Sequence, residues 1–590
     1  MTEPDTTDAA PRPEAGDQAP PAHPDARPPA GSRRAATVTV VRWGGWLLPL
    51  ALYAWFYDLR WLDITRAFPL LRGDWALYIA APNFVRDAPW LSFPIGRLPE
   101  YMAPVGTWLG QTDSWPALYP VYRALAIAMP HRPFQLIGWQ LLGSFAATFG
   151  IVRWYLRSEV RAVWDDALRA ELAATAGAVA LVAQPFYLLR AGHPALFQMW
   201  VVPWALIVVA RLLEQRRGRA VTVSTVAFVA PLAAATALNP YLAVMLLPVM
   251  CIPVVATARA HVRESAVLLA GSLAVFVVVS YALGYVGTGG RSQSDGFGLY
   301  MADAGLLFDA GALSRTWPNV PPDLTYEGNG FMGTALVVLA LGVGVALIVG
   351  RVRSRGSTHG AWLWPLWLGV GASLVWAMLP VIRLFDHTVL DLNGELEPIH
   401  DLLATVRSNG RLAWPFVWMI GLFSVRYLIR RRHTAAHLAI GAIAVFQVAD
   451  AVRPHIPEVP DRYGPAMAIV REARATGITR IEFQPPNVWT DCPAHEWGPF
   501  EHIAPLAVAA GVERLAINSG YPSRGDDAFR DEICTAQRED YLAGNLAGDV
   551  LYVIPAGVEP VSPDLECRLT ELDATVCRLP AEPGGADGAP

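Results

Sequence analysis

Long apolar runs recur along almost the whole chain, and no other feature narrows the possible folds so far. A helix that crosses a bilayer needs roughly 20 mainly apolar residues, and about eleven runs approach that length. They begin near Trp43, Phe134, Leu172, Ala195, Ala220, Tyr241, Ser265, Phe331, Ala361, Leu412 and Ala435. With 53% hydrophobic and 16% charged residues and a mean hydropathy of +0.32, the balance is that of a chain dissolved mostly in lipid. The expected fold is an α-helical polytopic membrane protein of about eleven transmembrane helices, followed by a C-terminal extracytoplasmic α/β domain. A formal net charge of -5 over 590 residues gives no footing for nucleic acid as a partner.

Composition divides the chain further. Residues 1–42 are rich in Pro, Ala, Asp and Glu at their start and read as a disordered cytoplasmic tail, because so few large apolar residues cannot offset the entropy of folding. A long acidic, Pro-rich stretch before the first apolar run is unlike a cleavable signal peptide, so the first span is expected to stay as an anchor. Residues 43–452 form the membrane domain, with a large first outer loop at 58–132; residues 453–580 form the α/β domain, and 581–590 a disordered tail.

Orientation follows from arginine, the only basic residue besides His in this Lys-free sequence. The segment "WPALYPVYRALAIAMP", Trp115 to Pro130, is short, interrupted by Pro and carries Arg123. If it is interfacial or re-entrant, the basic loops at Arg153–Arg169, Arg211–Arg219, Arg259–Arg263, Arg351–Arg355 and Arg426–Arg432 all fall on the cytoplasmic side, as the positive-inside rule asks. The N-terminus is then cytoplasmic, and the first outer loop, Gly287–Gly330, Arg383–Arg411 and the C-terminal domain lie outside.

In the last domain "AIVREARATGITRIEFQPP", "ERLAINSG" and "GDVLYVIP" read as a helix followed by strands. Four of the five cysteines, Cys492, Cys534, Cys567 and Cys577, lie here. In an exported domain they make two disulfides plausible among three pairings; "CRLTELDATVC" favours Cys567 with Cys577 as a short hairpin. Four buried thiols are the alternative, and no pair has the close spacing typical of structural zinc ligands.

The predicted spans hold almost no ionisable residues away from their ends, which weighs against an ion-coupled transporter and directs attention to the outer boundary. The first outer loop holds Asp63, Asp74, Asp87, Glu100 and Asp113 among Trp75, Trp90, Trp108 and Trp115. Tryptophans at that depth commonly form an interfacial belt; stacking on sugar is the sharper reading. The Pro- and Gly-rich run "FPIGRLPEYMAPVGTWLGQTDSWP" reads as a loop of fixed shape.

The series "GDWALYIAAPNFVRDAPWLSFPIG", "YMAPVGTWLGQTDSWPAL", "AGHPALFQMWVVPWAL" and "VRSNGRLAWPFVWMI" resembles the bacterial membrane-protein family catalogued as DUF6311, a group similar to the GT-C superfamily of polyprenyl-phosphate-sugar-dependent glycosyltransferases. The resemblance runs from about Trp43 to Ala451. It implies an enzyme of the inner membrane, probed from outside by a polyprenyl-phosphate-linked sugar and a cell-envelope acceptor, with an acidic catalytic residue in the first outer loop. Asp74 occupies that acidic position; where many GT-C enzymes carry paired acids, this chain has Gly73-Asp74-Trp75, which leaves open both the use of a divalent ion (Mg2+ or Mn2+) and which acid acts.

As a base, Asp74 would take the proton of an acceptor hydroxyl; the plain alternative is a loop carboxylate that is solvated or paired with Arg72. Asp113 is a second catalytic candidate, or a helix N-cap. Arg407 and Arg411 in "RSNGR" stand where guanidinium could bind the donor phosphate, or anchor the interface, or pair with Glu397 or Asp401. Trp75, Glu100 and His193 are candidate substrate contacts, His193 also as a metal ligand or simply a structural turn residue. The competing class is a non-enzymatic glycolipid translocation or envelope-assembly protein.

Overall fold

The computed structural model describes residues 30–90, 92–112, 114–219, 221–286, 297–318, 326–353, 361–486, 503–520 and 530–580. It is mainly helical, and each of the predicted apolar runs contains a helix. Among the described residues four helices are long and apolar enough to cross a bilayer: Ala35–Phe56, Val262–Ala282, Thr334–Arg351 and Asn409–Ile429. A fifth candidate is the pair Ala167–Val182 and Pro185–Gly192, bent by 51°. The expectation of eleven spans is therefore not supported. Several of the runs are cut short at their ends: Val201–Gln215, Thr225–Leu238, Pro240–Ala256, Trp364–Met378 and Thr434–Asp450 are apolar but have 14 to 17 residues. Ile137–Arg161 is long enough at 25 residues, but ends in the charged stretch "RWYLRSEVR". The segment 119–128 is a helix of ten residues, about 15 Å at 1.5 Å per residue, half of a bilayer core.

The tail boundary also moves. Residues 30–44 are helical, so the last third of the segment expected to be disordered is ordered; beyond Pro29 the sequence "AGSRRAATVTVVRWG" has no proline to stop a helix. Residues 1–29 and 581–590 lie outside the described residues.

Aromatic side chains build the core of the bundle. The Tyr187 and Phe197 rings stack at 4.4 Å between centroids, with Phe145 and Trp418 against them. Each polar atom carried into such a core needs a partner. The Tyr187 hydroxyl finds Ser144 Oγ at 2.7 Å, and Ser144 in turn donates to the Phe197 carbonyl. Three of the arginine-rich segments meet at one end of the bundle. There Glu159 meets Arg211, Arg426 and Arg430, Glu214 meets Arg211, Arg219 and Arg426, and Glu171 meets Arg153 and Arg157. Arg219 lies over Trp362.

The first outer loop carries a short antiparallel pair, β1 (Arg97–Leu98) and β2 (Thr107–Trp108); a second antiparallel pair is formed by β3 (Val381–Leu384) and β4 (His387–Asp391). The C-terminal domain is a five-stranded sheet of β5 (Arg480–Phe483), β6 (Ala516–Ile517), β7 (Val550–Pro555), β8 (Glu566–Leu569) and β9 (Ala574–Arg578) in the order β6-β5-β7-β9-β8. The first three strands are parallel, and β9 pairs antiparallel with β7 and β8. Cys567 and Cys577, opposite each other in the β8–β9 ladder, are joined by a disulfide. Cys534 is also disulfide-bonded, and Cys492 lies outside the described residues.

This domain is locked onto the first outer loop. Ile517 N–H donates to Glu100 O at 2.8 Å, and Ala103 N–H donates to Ile517 O at 2.7 Å, so the loop continues the sheet beyond β6 and covers an edge that would otherwise be open. The helix Ala504–Glu513, "APLAVAAGVE", is buried along its whole length, which explains an apolar composition on every face. Its Gly511 meets residues 83–84: an added Cβ would lie 3.0 Å from Phe84 Cδ2 and 3.1 Å from the Asn83 carbonyl. Replacing Gly511 by Val is expected to lower stability by about 1–3 kcal/mol through overpacking, despite Val being the better helix former. Thermal unfolding of the full chain reads this; a stabilised variant would show that the two bodies do not rest on this contact.

Candidate active site

Four separate segments meet at the end of the bundle opposite the arginine-rich one. The first is the helix Gly73–Ala80, with Asp74 in its first turn. The second follows the 51° bend. At that bend Pro185 starts a new helix with its N-terminus held by Phe186 N–H donating to Phe331 O, and the 3-10 turn Arg190–Gly192 then carries Arg190 and His193 across the end of the bundle. The third is the turn Tyr326–Gly328, bearing Glu327. The fourth is Asn409–Ala413, bearing Arg411.

Glycine permits the last two to touch. A Cβ on Gly410 would sit 2.5 Å from Tyr300 O and 2.9 Å from Gly328 Cα, and one on Gly328 would sit 2.7 Å from Ala302 Cα. Backbone therefore packs on backbone here, with Gly410 N–H donating to Tyr300 O at 2.8 Å. Asn409 fixes the arrangement by donating from Nδ2 to the carbonyls of Trp376, Ala377 and Leu379 at the end of the neighbouring helix. They lie at a helix C-terminus, where the Trp376 and Ala377 carbonyls also accept from Leu379 N–H and Ala302 N–H.

At the centre is Glu327. Arg411 binds it with two hydrogen bonds, Nε to Oε2 at 2.7 Å and Nη2 to Oε1 at 2.6 Å, the fork geometry that suits guanidinium to carboxylate. Arg190, fully buried, adds Nη1 to Oε2 at 3.2 Å. Burial by itself would raise the Glu327 pKa. The charge and hydrogen bonds of Arg411, then the charges of Arg190 and His193, outweigh it and hold the carboxyl well below the usual range. Arg190 is further packed over Trp414 and Arg411 over Tyr241, at 4.8 and 4.7 Å from the ring centroids. Two guanidiniums against one carboxylate leave this group with an excess positive charge.

His193 bridges this group to the loop acid. Its Nδ1 is in contact with Asp74 Oδ2, and its Nε2 lies 3.9 Å from Glu327 Oε1. The Asp74 side chain is 38% exposed and that of His193 20%, whereas Glu327 and Arg411 are each 10%. The accessible groups thus lie over a buried, charged base. An imidazole held between two carboxylates has its ring orientation set from both sides.

Three of the sequence candidates, Asp74, His193 and Arg411, come together here; others do not. Trp75 is only 2% exposed. Its Nε1–H donates to Ala191 O at 2.9 Å and its ring meets Trp61 edge-on, so it positions the turn that carries His193 and offers no face to a sugar. Arg411 is engaged by Glu327, which corrects its expected partners, Glu397 or Asp401. Arg407 is half-buried over the Tyr300 ring and forms no ion pair among the described residues. Glu100 belongs to the seam with the C-terminal sheet through its carbonyl, and burial pushes its carboxyl pKa up, against its backbone hydrogen bond and with a contribution from Asp87. Asp113 lies outside the described residues. The remaining loop acids have ordinary duties: Asp63 accepts from Thr65, and Asp87 pairs with Arg514 at 3.0 Å.

Sequence reasoning missed Glu327 and Arg190. Both lay in short stretches that resemble chosen ones: Glu327 in "TYEGNGF" just before an apolar run, as Arg411 is in "RSNGR", and Arg190 three residues before His193. Among the described residues no group of three or more His, Cys, Asp or Glu side chains is arranged to hold a metal ion. Within the site both oxygens of Glu327 are already taken by guanidinium, so the described residues of the site do not fit one.

No curated protein matches the chain. Residues 471–578 match the DUF6311 C-terminal domain. Residues 46–452, more than half of the chain, match the domain of unknown function DUF6311, and the protein is therefore a member of the DUF6311 family.

Proposed function

We propose that this protein is a membrane glycosyltransferase of the GT-C type. It moves a sugar from a polyprenyl-phosphate donor to a cell-envelope glycan or lipid-linked acceptor at the outer face of a bacterial inner membrane. The observation that carries the reading is the contact of half-exposed Asp74 with His193 above the buried Arg190–Glu327–Arg411 group. A carboxylate oriented by an imidazole at the end of an apolar bundle is suited to deprotonating a hydroxyl beside the headgroup of a lipid. The convergence of arginines at the other end supports an orientation with that end in the cytoplasm and the site outside.

In this mechanism the acceptor oxygen attacks the anomeric carbon as Asp74 takes its proton. The bond from that carbon to the phosphate oxygen breaks, and the leaving polyprenyl phosphate keeps the electron pair, with inversion at the sugar. His193 holds the Asp74 carboxylate in place. The excess positive charge of the buried group favours the growing charge on the leaving phosphate, and Arg407, without an acidic partner among the described residues, is the cation free to bind it.

The test is transfer of radiolabel from polyprenyl-phosphate sugars to envelope extract by the purified full chain, beside an Asp74→Asn variant. Transfer by the wild type alone supports the reading. Equal transfer by both removes Asp74 from the chemistry, and no transfer by either across the common donors favours a glycolipid-binding or assembly role.

A further inference from the structure

At the arginine-rich end, away from the candidate active site, lies a cavity of about 540 Å³. Its lining includes Arg216, Arg217, Arg259, His261, Trp362 and Trp364. The elements that frame it are the ends of the helices Val201–Gln215 and Pro240–Ala256 and the start of Trp364–Met378. Arg216 is built into the wall: its side chain is 4% exposed, and it donates to Thr257 Oγ1 and, at 3.0 Å, to Ser265 Oγ. Glu264 lies 3.8 Å from Arg216 and 3.7 Å from His261. It offsets one charge of the lining. Arg217 and Arg259 are exposed and form no ion pair among the described residues, so the cavity keeps two uncompensated guanidiniums at its rim.

The same rim is apolar on its outer side. Val255 is 59% exposed, Val262 68% and Trp364 52%, each next to or part of the lining. A soluble anion would gain nothing from these side chains. An amphiphile would place its charged group against the arginines and its chains along the apolar flank, and tryptophan suits the boundary between the two.

We propose that this cavity is a binding site for the phosphate headgroup of an anionic membrane lipid, held by Arg217 and Arg259 at the rim and Arg216 in the wall. The proposal is independent of the catalytic reading, because it concerns the opposite end of the bundle. Guanidinium binds phosphate by paired hydrogen bonds, and basic pockets between membrane helices on the positively charged side are known receptors for such headgroups.

The test uses the full chain in zwitterionic detergent, titrated with phosphatidylglycerol, with thermal unfolding and retained lipid by native mass spectrometry as readouts. Phosphatidylglycerol is expected to raise Tm, and the double variant Arg217→Gln/Arg259→Gln to need about thirtyfold more lipid for the same rise, from the usual surface contribution of two arginines. The Lys versions of the same two positions should fall between wild type and the Gln variant, because Lys keeps the charge and loses the paired hydrogen bonds. A control pair outside the cavity, Arg431→Gln/Arg432→Gln, should leave it unchanged. Equal loss in the control would show a general attraction to charge and overturn the site. An equal rise with inorganic phosphate would make it a soluble-phosphate site and overturn the lipid assignment, as would an unaffected Gln variant.

Discussion

Replacing Glu327 by Gln is expected to destabilise the protein by about 3–5 kcal/mol, the usual cost of leaving buried charge without its partner. Glu327 is the shared counter-charge of Arg190 and Arg411, so its loss leaves two guanidiniums facing each other in an apolar wall. Replacing Arg411 by Gln should cost less, because Glu327 keeps Arg190. Thermal unfolding of the purified chain measures both, and a Glu327→Gln variant as stable as wild type would show that the group is solvated. The pH dependence has a definite sign. The folded-state pKa of Glu327 lies below its ordinary value, so its contribution is complete above about pH 4.5, the ordinary carboxylate range. It is lost only as pH falls through that range toward the depressed folded value. The gap between wild type and variant should therefore be flat from neutral pH down to about pH 5 and close only in stronger acid.

The second large effect concerns rate. If Asp74 is the base, Asp74→Asn should lower kcat for sugar transfer by about 10²–10⁴-fold with little change in KM or in Tm, because its side chain is partly exposed and carries no core packing. Replacing His193 by Gln should give a smaller loss, because a positioning partner is removed and the proton acceptor remains. A larger loss at His193 than at Asp74 would exchange the two roles. Arg407→Gln should instead raise KM for the lipid donor, which separates phosphate binding from chemistry.

These two predictions differ in how far the residues behind them could be read beforehand. Asp74 and His193 each stood out alone: an acid just past an apolar run, and a histidine in a turn between two such runs. Their contact could not be read, because it depends on the 51° bend at Pro185 and on where two segments more than a hundred residues apart come to rest. Glu327 was hidden for a different reason. Its partners are contributed by two other segments, and a single carboxylate in a Gly-rich loop looks solvated until those partners are found. Trp75 shows the opposite failure, since its place beside Asp74 suggested a ligand contact that its inward orientation denies.

The sequence by itself determined the periodic apolar runs and thus the helices, the gathering of arginine in alternate loops, the strands of the C-terminal domain and the Cys567–Cys577 hairpin. Each is a local property, set by the solubility or geometry of neighbouring residues. Helix length was less legible, because hydropathy adds over a window while the end of a helix depends on single residues such as Pro185, Asn239 and Pro365. Only the tertiary structure decided that the first outer loop completes the C-terminal sheet, that Arg411 is occupied by Glu327, and that a basic cavity lies at the far end. All three rest on contacts between segments distant in the chain, whose energies depend on approach distances that no local pattern encodes.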